Sequence, residues 1–314
     1  MKKPLVVIAG PTACGKTDIS IELAKRINGE IISADSMQVY KFMDIGTAKV
    51  TKDEMQGIKH YLIDELMPDE EFNVMIFQQK AKEYMDEIYS KGKIPIIAGG
   101  TGFYINAVVN DNEFTETNDD NTIREKLYKD AEDKGAEFNH NKLKEVDPEY
   151  ASTVHPNNIK RVARALEYFY LTGQKFSEHN AEEKKKASPY NTSFIILNMN
   201  REQLYKRIDL RVDIMMKNGL LDEVKSLLDM GYDPSLVSMQ GLGYKEIVPY
   251  INGECNLEMA VDELKKRTRH FAKRQLTWFK RQTENCLWID LTDGDKESAL
   301  NKITEYINNN LSEK

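Results

Sequence analysis

Cysteine is scarce in this 314-residue chain: Cys14, Cys255 and Cys286 are an odd number with no C-x-x-C pair, which excludes a disulfide framework and a zinc ribbon. Long apolar runs are also missing. The longest, Leu5–Ala9 and Ile94–Ala98, fall far short of the about 20 residues that span a bilayer. Met1-Lys2-Lys3-Pro4 leads straight into a strand-like run without a signal-peptide pattern. These absences predict a cytoplasmic, reducing setting and no membrane partner. Basic residues are outnumbered, 44 against 51, for a net charge of −7, and that average argues against a polyanionic partner. The average hides a patch. From Lys265 to Arg281, KKRTRHFAKRQLTWFKR carries eight Lys or Arg and no acid.

What is present reads as an α/β protein. Hydrophobic residues are 40% and charged residues 30% of a chain long enough for a core plus a second lobe. Leu5–Ala9 is a continuous apolar, β-branched run, as in a strand buried on both faces of a parallel sheet. Ile19, Leu23 and Ile27 then recur every four positions, predicting a helix that ends near Asn28-Gly29. Further strands are expected at Glu30–Ala34, Tyr61–Ile63, Ile94–Ala98, Ser193–Met199 and Cys286–Asp290, with a helix over Phe72–Tyr89. After Val109 the polar, acidic segment NDNEFTETNDDNT opens a stretch with two helical patterns, one through Ile123, Leu127 and Ala131 and one through Ile159, Val162, Leu166 and Phe169. The expectation is therefore a parallel sheet flanked by helices, formed by residues 1–112 and 191–314, with a helical insertion domain over 113–190. No internal repeat is evident, and no surplus apolar stripe argues for an oligomer, so a monomer is expected.

Gly10-Pro11-Thr12-Ala13-Cys14-Gly15-Lys16-Thr17 fits G-x-x-x-x-G-K-[ST] in the required place, after a strand and before a helix. Backbone amides and the helix N-terminus can cradle phosphate oxygens, Lys16 adds a cation, and Thr17 can offer its hydroxyl to Mg²⁺. The fold class is thus that of P-loop NTPases. Such a loop grips phosphate and ignores what is esterified to it. No N-K-x-D guanine reader and no DG[FY]PR-type segment follow, which leaves a P-loop kinase as the weaker alternative.

Asp35 follows the second strand, at the carboxyl edge where ligand crevices of α/β sheets lie. It could hold Mg²⁺ through water, accept a proton from an attacking amine or hydroxyl, or cap the following turn. The strand at Ile94 ends in Gly99-Gly100-Thr101-Gly102 in place of a Walker B acid, so backbone can approach a ligand there. Arg207 and Arg211 lie four apart on an apparent helix, where ion pairs with Asp209 or Asp213 are the alternative to a ligand role. In the basic segment Arg267, Phe271, Arg274, Trp278 and Arg281 form one stripe at helical spacing, and Ala272, Leu276 and Phe279 another that could face the core.

GPTACGKT, ADSMQVY from Ala34, GTAK from Gly46, GGTGFY from Gly99, NNIKRVARALE from Asn157, GLGYKE from Gly241 and the basic segment together resemble the tRNA dimethylallyltransferase (isopentenyltransferase) family. The motifs stand in the family's order from residue 10 to residue 281. The resemblance implies transfer of a dimethylallyl group from dimethylallyl diphosphate to N6 of adenosine 37 beside the tRNA anticodon. It implies Asp35 as general base, Thr101 against the nucleoside or diphosphate, and Arg211, Lys16 and Thr17 with Mg²⁺ on the leaving diphosphate. Ser36, Met37 and Gln38 would line the adenosine pocket. Asn158, Ile159, Lys160, Arg161, Val162, Ala163 and Arg164 of the insertion, with Arg124, would meet the anticodon stem, and Arg267, Arg274, Trp278 and Arg281 the RNA elsewhere. The insertion would act as a clamp. The zinc finger of eukaryotic members is missing, which points to the bacterial type. Sibling enzymes that prenylate free adenine nucleotides, and a non-catalytic RNA-binding protein, are the other readings.

Overall fold

The computed structural model describes residues 2–114, 122–283 and 285–312. Its contacts divide the chain into two compact units, one of residues 1–109 with 189–314, the other of residues 110–188.

In the first unit, chain order runs β1 (Lys3–Ala9), α1 (Lys16–Ile27), β2 (Gly29–Ala34), α2 (Lys52–Met55), β3 (His60–Tyr61), α3 (Val74–Ser90), β4 (Ile94–Gly99) and α4 (Gly102–Val109). The second unit holds α5 (Thr122–Lys134), α6 (Ala136–Val146), α7 (Pro148–Thr153), α8 (Ile159–Thr172) and α9 (Phe176–Lys185). The first then resumes with β5 (Tyr190–Asn198), α10 (Arg201–Lys217), α11 (Leu220–Asp229), α12 (Val248–Ile251), α13 (Leu257–Gln282), β6 (Leu287–Asp290) and α14 (Lys296–Ser312).

Six strands pair in the order β3-β2-β4-β1-β5-β6, and every pairing is parallel. Leu5 to Ala9 of the central strand β1 are all buried, because helices cover both faces of such a sheet. On one face Val7, Ile32, Ile97 and Phe194 pack toward α3, α4 and α13; on the other Ile8, Ile31, Ile96 and Ile195 pack toward α1 and α14. The predicted strand at Tyr61–Ile63 is shorter and earlier than expected, pairing only at His60 and Tyr61. Leu62, with φ 61°, turns the chain out of the strand there.

The insertion has five described helices where the apolar patterns marked two. Its core is formed by Leu127, Leu143, Ala151, Val154, Val162, Ala165 and Leu166. Polar anchors made the extra helices hard to read. Asp147 caps α7 through Tyr150 N–H and also accepts from Ser177 N–H and Oγ, while His140 Nε2 lies within 3.1 Å of the Ala151 and Val154 carbonyls.

The segment between β2 and β3 is held by a distant carboxylate. Glu223 of α11 accepts the N–H groups of Asp44, Ile45 and Gly46, and the hydroxyl of buried Tyr244 as well. Gly46 lies against that ring, where a β-carbon would fall 2.6 Å from it. Lys49, 4% exposed at its side chain, donates to Tyr40 C=O and pairs with Asp44 and Asp64. The GTAK and GLGYKE segments are therefore two halves of one clasp. Replacing Glu223 with Ala strands donors that water reaches only in part, and is expected to cost about 2–3 kcal/mol. Urea unfolding of the variant, with Tyr244→Phe as the milder comparison, measures this.

Candidate active site

The phosphate loop owes its shape to three residues of positive φ, two of them glycines. Gly10 has φ 150°, Ala13 65° and Gly15 101°, and a β-carbon on Gly10 would stand 2.5 Å from the Leu197 carbonyl oxygen. Lys16 opens α1 and folds its Nζ back to 2.7 Å from the Pro11 carbonyl. Burial and neighbouring Arg211 hold its pKa below the ordinary lysine value, against the pull of Asp35. Cys14 is buried, and loss of hydration pushes its thiol up, so it fills space and is no nucleophile.

The loop and Asp35 share one cavity of about 170 Å³. Its lining includes Thr12, Ala13, Gly15, Lys16 and Thr17 on one side and Asp35 and Gln38 on the other, with Gly99 and Gly100 between them. The strand order explains this: β4 lies between β1 and β2, so side chains at its end would wall Asp35 off from the loop. Gly99 is also forced by contact, since a β-carbon there would meet the Ala34 carbonyl oxygen at 2.2 Å. Asp35 Oδ1 accepts from Met37 N–H at 2.9 Å. Desolvation nevertheless raises its pKa above the ordinary 3.8, outweighing that bond and the charges of Lys16 and Arg211.

Gln38 lines the cavity but its amide is committed, bonded to Ser33 Oγ and donating to the Thr47 and Ala48 carbonyls. Met37 packs on the core beside Gly241. Ser36 is half-buried next to Asp35. Thr101 lies one residue beyond the glycine pair, where its N–H donates to Ala34 C=O and its carbonyl accepts from Tyr104 and Ile105; it is not among the cavity-lining residues.

Arg207 and Arg211 of α10 both face the loop. Arg211 NH1 lies 3.5 Å from Thr12 Oγ1, and burial with the nearby Arg207 charge lowers its pKa. Arg207 Nε donates to Ala13 C=O at 2.9 Å, so the alternative of an ion pair with Asp209 or Asp213 is set aside. Those acids pair with Arg269 and Lys265 of α13 instead.

The basic helix α13 has a buried stripe of Leu264, Thr268, Ala272, Gln275 and Phe279, with Leu276 only half-buried. Gln275 and Phe271 line the cavity, a role the charge pattern gave no hint of, because a lone glutamine among lysines and arginines carries no periodic signal. His60, held below its ordinary pKa by burial, also reaches the cavity unannounced. On the outer side Lys273, Arg274, Lys280 and Arg281 are exposed and form no ion pair among the described residues. Arg274 stacks over Phe271 at 5.8 Å. Two of the expected RNA contacts are otherwise occupied. Arg267 is paired with Glu263 and lies 3.7 Å from buried Glu246, and the Trp278 indole packs on Gly102, where a β-carbon would fall 2.2 Å from it.

In the insertion, Asn158 caps α8 by accepting from Arg161 N–H. Ile159 is half-buried, while Lys160 and Arg161 are exposed. Val162 and Ala163, each 1% exposed, face the insertion's own core. Buried Glu167 joins Arg124 and Arg164, at 2.8 and 3.3 Å, so that both guanidinium groups are fixed.

A phosphate cradle opening onto a desolvated carboxylate, on a wholly parallel sheet, defines a P-loop protein built for transfer from a phosphorylated donor. A family model described as "IPP transferase" matches residues 38–282. The tRNA dimethylallyltransferase of Lachnoclostridium phytofermentans is 57% identical over 97% of this chain and 96% of its own, and that of Clostridioides difficile 50% identical over 99% and 100%. The full-length tRNA isopentenylpyrophosphate transferase of Bacillus halodurans superposes with a TM-score of 0.74 at 44% identity, covering 98% of each chain. A eukaryotic dimethylallyltransferase acting on tRNA gives 0.85 at 33% identity, over 98% of this chain and 80% of that one. The chain belongs to the IPP transferase family.

Because Gly99 abuts the Ala34 carbonyl, Gly99→Ala is expected to separate β2 from β4 and lower the melting temperature by more than Gly100→Ala. Differential scanning calorimetry of the two variants tests the order.

Proposed function

We propose that the protein transfers the dimethylallyl group of dimethylallyl diphosphate to N6 of adenosine 37 in tRNA. The observation that carries this reading is the single cavity holding both the phosphate loop and Asp35. Family membership supports tRNA as acceptor. The diphosphate lies in the loop, with Lys16, Arg207 and Arg211 neutralising charge as it leaves. The five-carbon chain finds apolar wall at Ile31, Val50, Ile63 and Ala98. The adenosine is splayed out of the anticodon loop so that its amine reaches Asp35. The N6 lone pair forms a bond to allylic C1 as the C1–oxygen bond breaks, and Asp35 takes the N6 proton.

Mg²⁺ fits the donor set. The cavity offers the Thr17 hydroxyl and the Asp35 carboxylate, and among the described residues no cluster of three or more His, Cys, Asp or Glu forms a dedicated cage. That is the pattern of an ion held by one or two protein oxygens, water and substrate phosphate. When bound, it supplies charge neutralisation to the diphosphate.

RNA binding is proposed for the unpaired cations of α13 and for Lys160, Arg161 and the Glu167-fixed pair Arg124 and Arg164 of the insertion, whose part is that of a clamp on the anticodon stem.

Incubation with unmodified anticodon stem-loop, labelled dimethylallyl diphosphate and Mg²⁺ should place label on the adenosine. Label on free AMP alone, or ATP turnover without RNA, would replace this reading with a nucleotide prenyltransferase or a kinase. Asp35→Asn is expected to lower transfer by about 10²–10⁴-fold while RNA affinity holds. Because a base works only when ionised and burial raises the pKa of Asp35, kcat/KM should fall on acidification through a value above 3.8, and this limb should vanish in Asp35→Asn. Arg274→Ala should weaken RNA binding and reduce the salt slope by about one, as titrations at several salt concentrations would register.

A further inference from the structure

Gln275 is 7% exposed, on the buried stripe of α13 toward its C-terminal end. Its amide spans two strands' ends. Oε1 accepts the N–H of Thr12 in the phosphate loop at 2.9 Å, and Nε2 donates to the carbonyl of Gly100 at 3.0 Å. A primary amide is the one uncharged side-chain group that offers an acceptor and a two-proton donor side by side. The fit is close: a β-carbon on Gly100 would stand 2.1 Å from Nε2.

The flanking residues Lys273 and Arg274 lie on the exposed side of the same helix, with no ion pair among the described residues. A helix turns about 100° per residue, so the side that meets solvent and the side that grips the loop are one rigid body. Whatever displaces or steadies the outer cations displaces or steadies both hydrogen bonds. Arg207 and Arg211 also touch the loop, but they come from α10. Among the described residues, Gln275 makes the hydrogen bond to the loop from the helix whose outer face bears the charge proposed above to meet RNA.

We propose that Gln275 is a positioning residue through which RNA held on the outer face of α13 sets the phosphate loop for the donor's diphosphate. This rests on the RNA-transferase reading above. By linkage, RNA then tightens diphosphate binding and diphosphate tightens RNA binding by one common factor.

The test uses the full chain, Mg²⁺ and inorganic diphosphate. Diphosphate affinity is measured by calorimetry with and without an anticodon stem-loop in which inosine replaces the target adenosine, so that no amine is present to react. In the unaltered protein the RNA should tighten diphosphate binding about fivefold or more. In Gln275→Met that ratio should fall to one while RNA affinity stays within about twofold. Gln275→Glu serves if the methionine variant does not fold: it keeps the acceptor for Thr12, loses the donor to Gly100, and its charge cancels in the ratio. A ratio of one in the unaltered protein, or an undiminished ratio in a folded variant, overturns the proposal. If the RNA does not bind at all, the RNA-transferase reading and the coupling fall together. The bridge alone is then judged by diphosphate affinity without RNA, which falls about tenfold in Gln275→Met if the contact positions Thr12 and is unchanged if it does not.

Discussion

Everything in the site depends on a pair of residues without side chains. The sheet order places β4 between the strand that carries the phosphate loop and the strand that carries Asp35. The phosphate loop and Asp35 can therefore meet only across the end of β4, and Gly99-Gly100 leaves that ground open. The same two glycines bring backbone to Ala34 and to Gln275 at distances a β-carbon would forbid. Strand spacing in a sheet is fixed near about 4.8 Å, so the phosphate loop and Asp35 sit two strands apart, with the cavity between them.

The clasp around Glu223 shows how far the chain goes to keep one side of this cavity in place. Three consecutive N–H groups, a buried phenol and a buried lysine are spent on residues 44–49, which supply Thr47 and Ala48 to the lining. Gln38 is tied to those same carbonyls. The wall is pre-formed, so little ordering remains for the moment of binding.

The sheet was legible because buried parallel strands read as unbroken apolar runs, as in Leu5–Ala9 and Ile94–Ala98, and the phosphate loop because its glycines and lysine stand in fixed register. Less visible was anything that depends on which way a helix faces. Trp278 and Arg267 lie on the same stripe as Arg274, yet one packs on Gly102 and the other on Glu263 and Glu246. Periodicity marks a face and cannot say what covers it. Gln275 was hidden for the opposite reason: a single amide in a run of cations has no pattern, and its meaning comes from Thr12 and Gly100, some 263 and 175 positions away. Val162 and Ala163 face the insertion's core, since a motif's resemblance names positions, not the direction of their side chains.

The central strand β1 pairs on one side with β4 and on the other with β5, which begins at Tyr190. Residues 110–188 intervene. As the chain leaves the ribosome, β1 must therefore wait, one flank bare, until β5 emerges well beyond β4, and a bare flank in the middle of a sheet is a template for unwanted pairing. The last element of the cavity, α13, arrives later still. The nascent protein thus spends most of its synthesis without a finished cavity, and the burden of shielding that strand falls on whatever meets the growing chain.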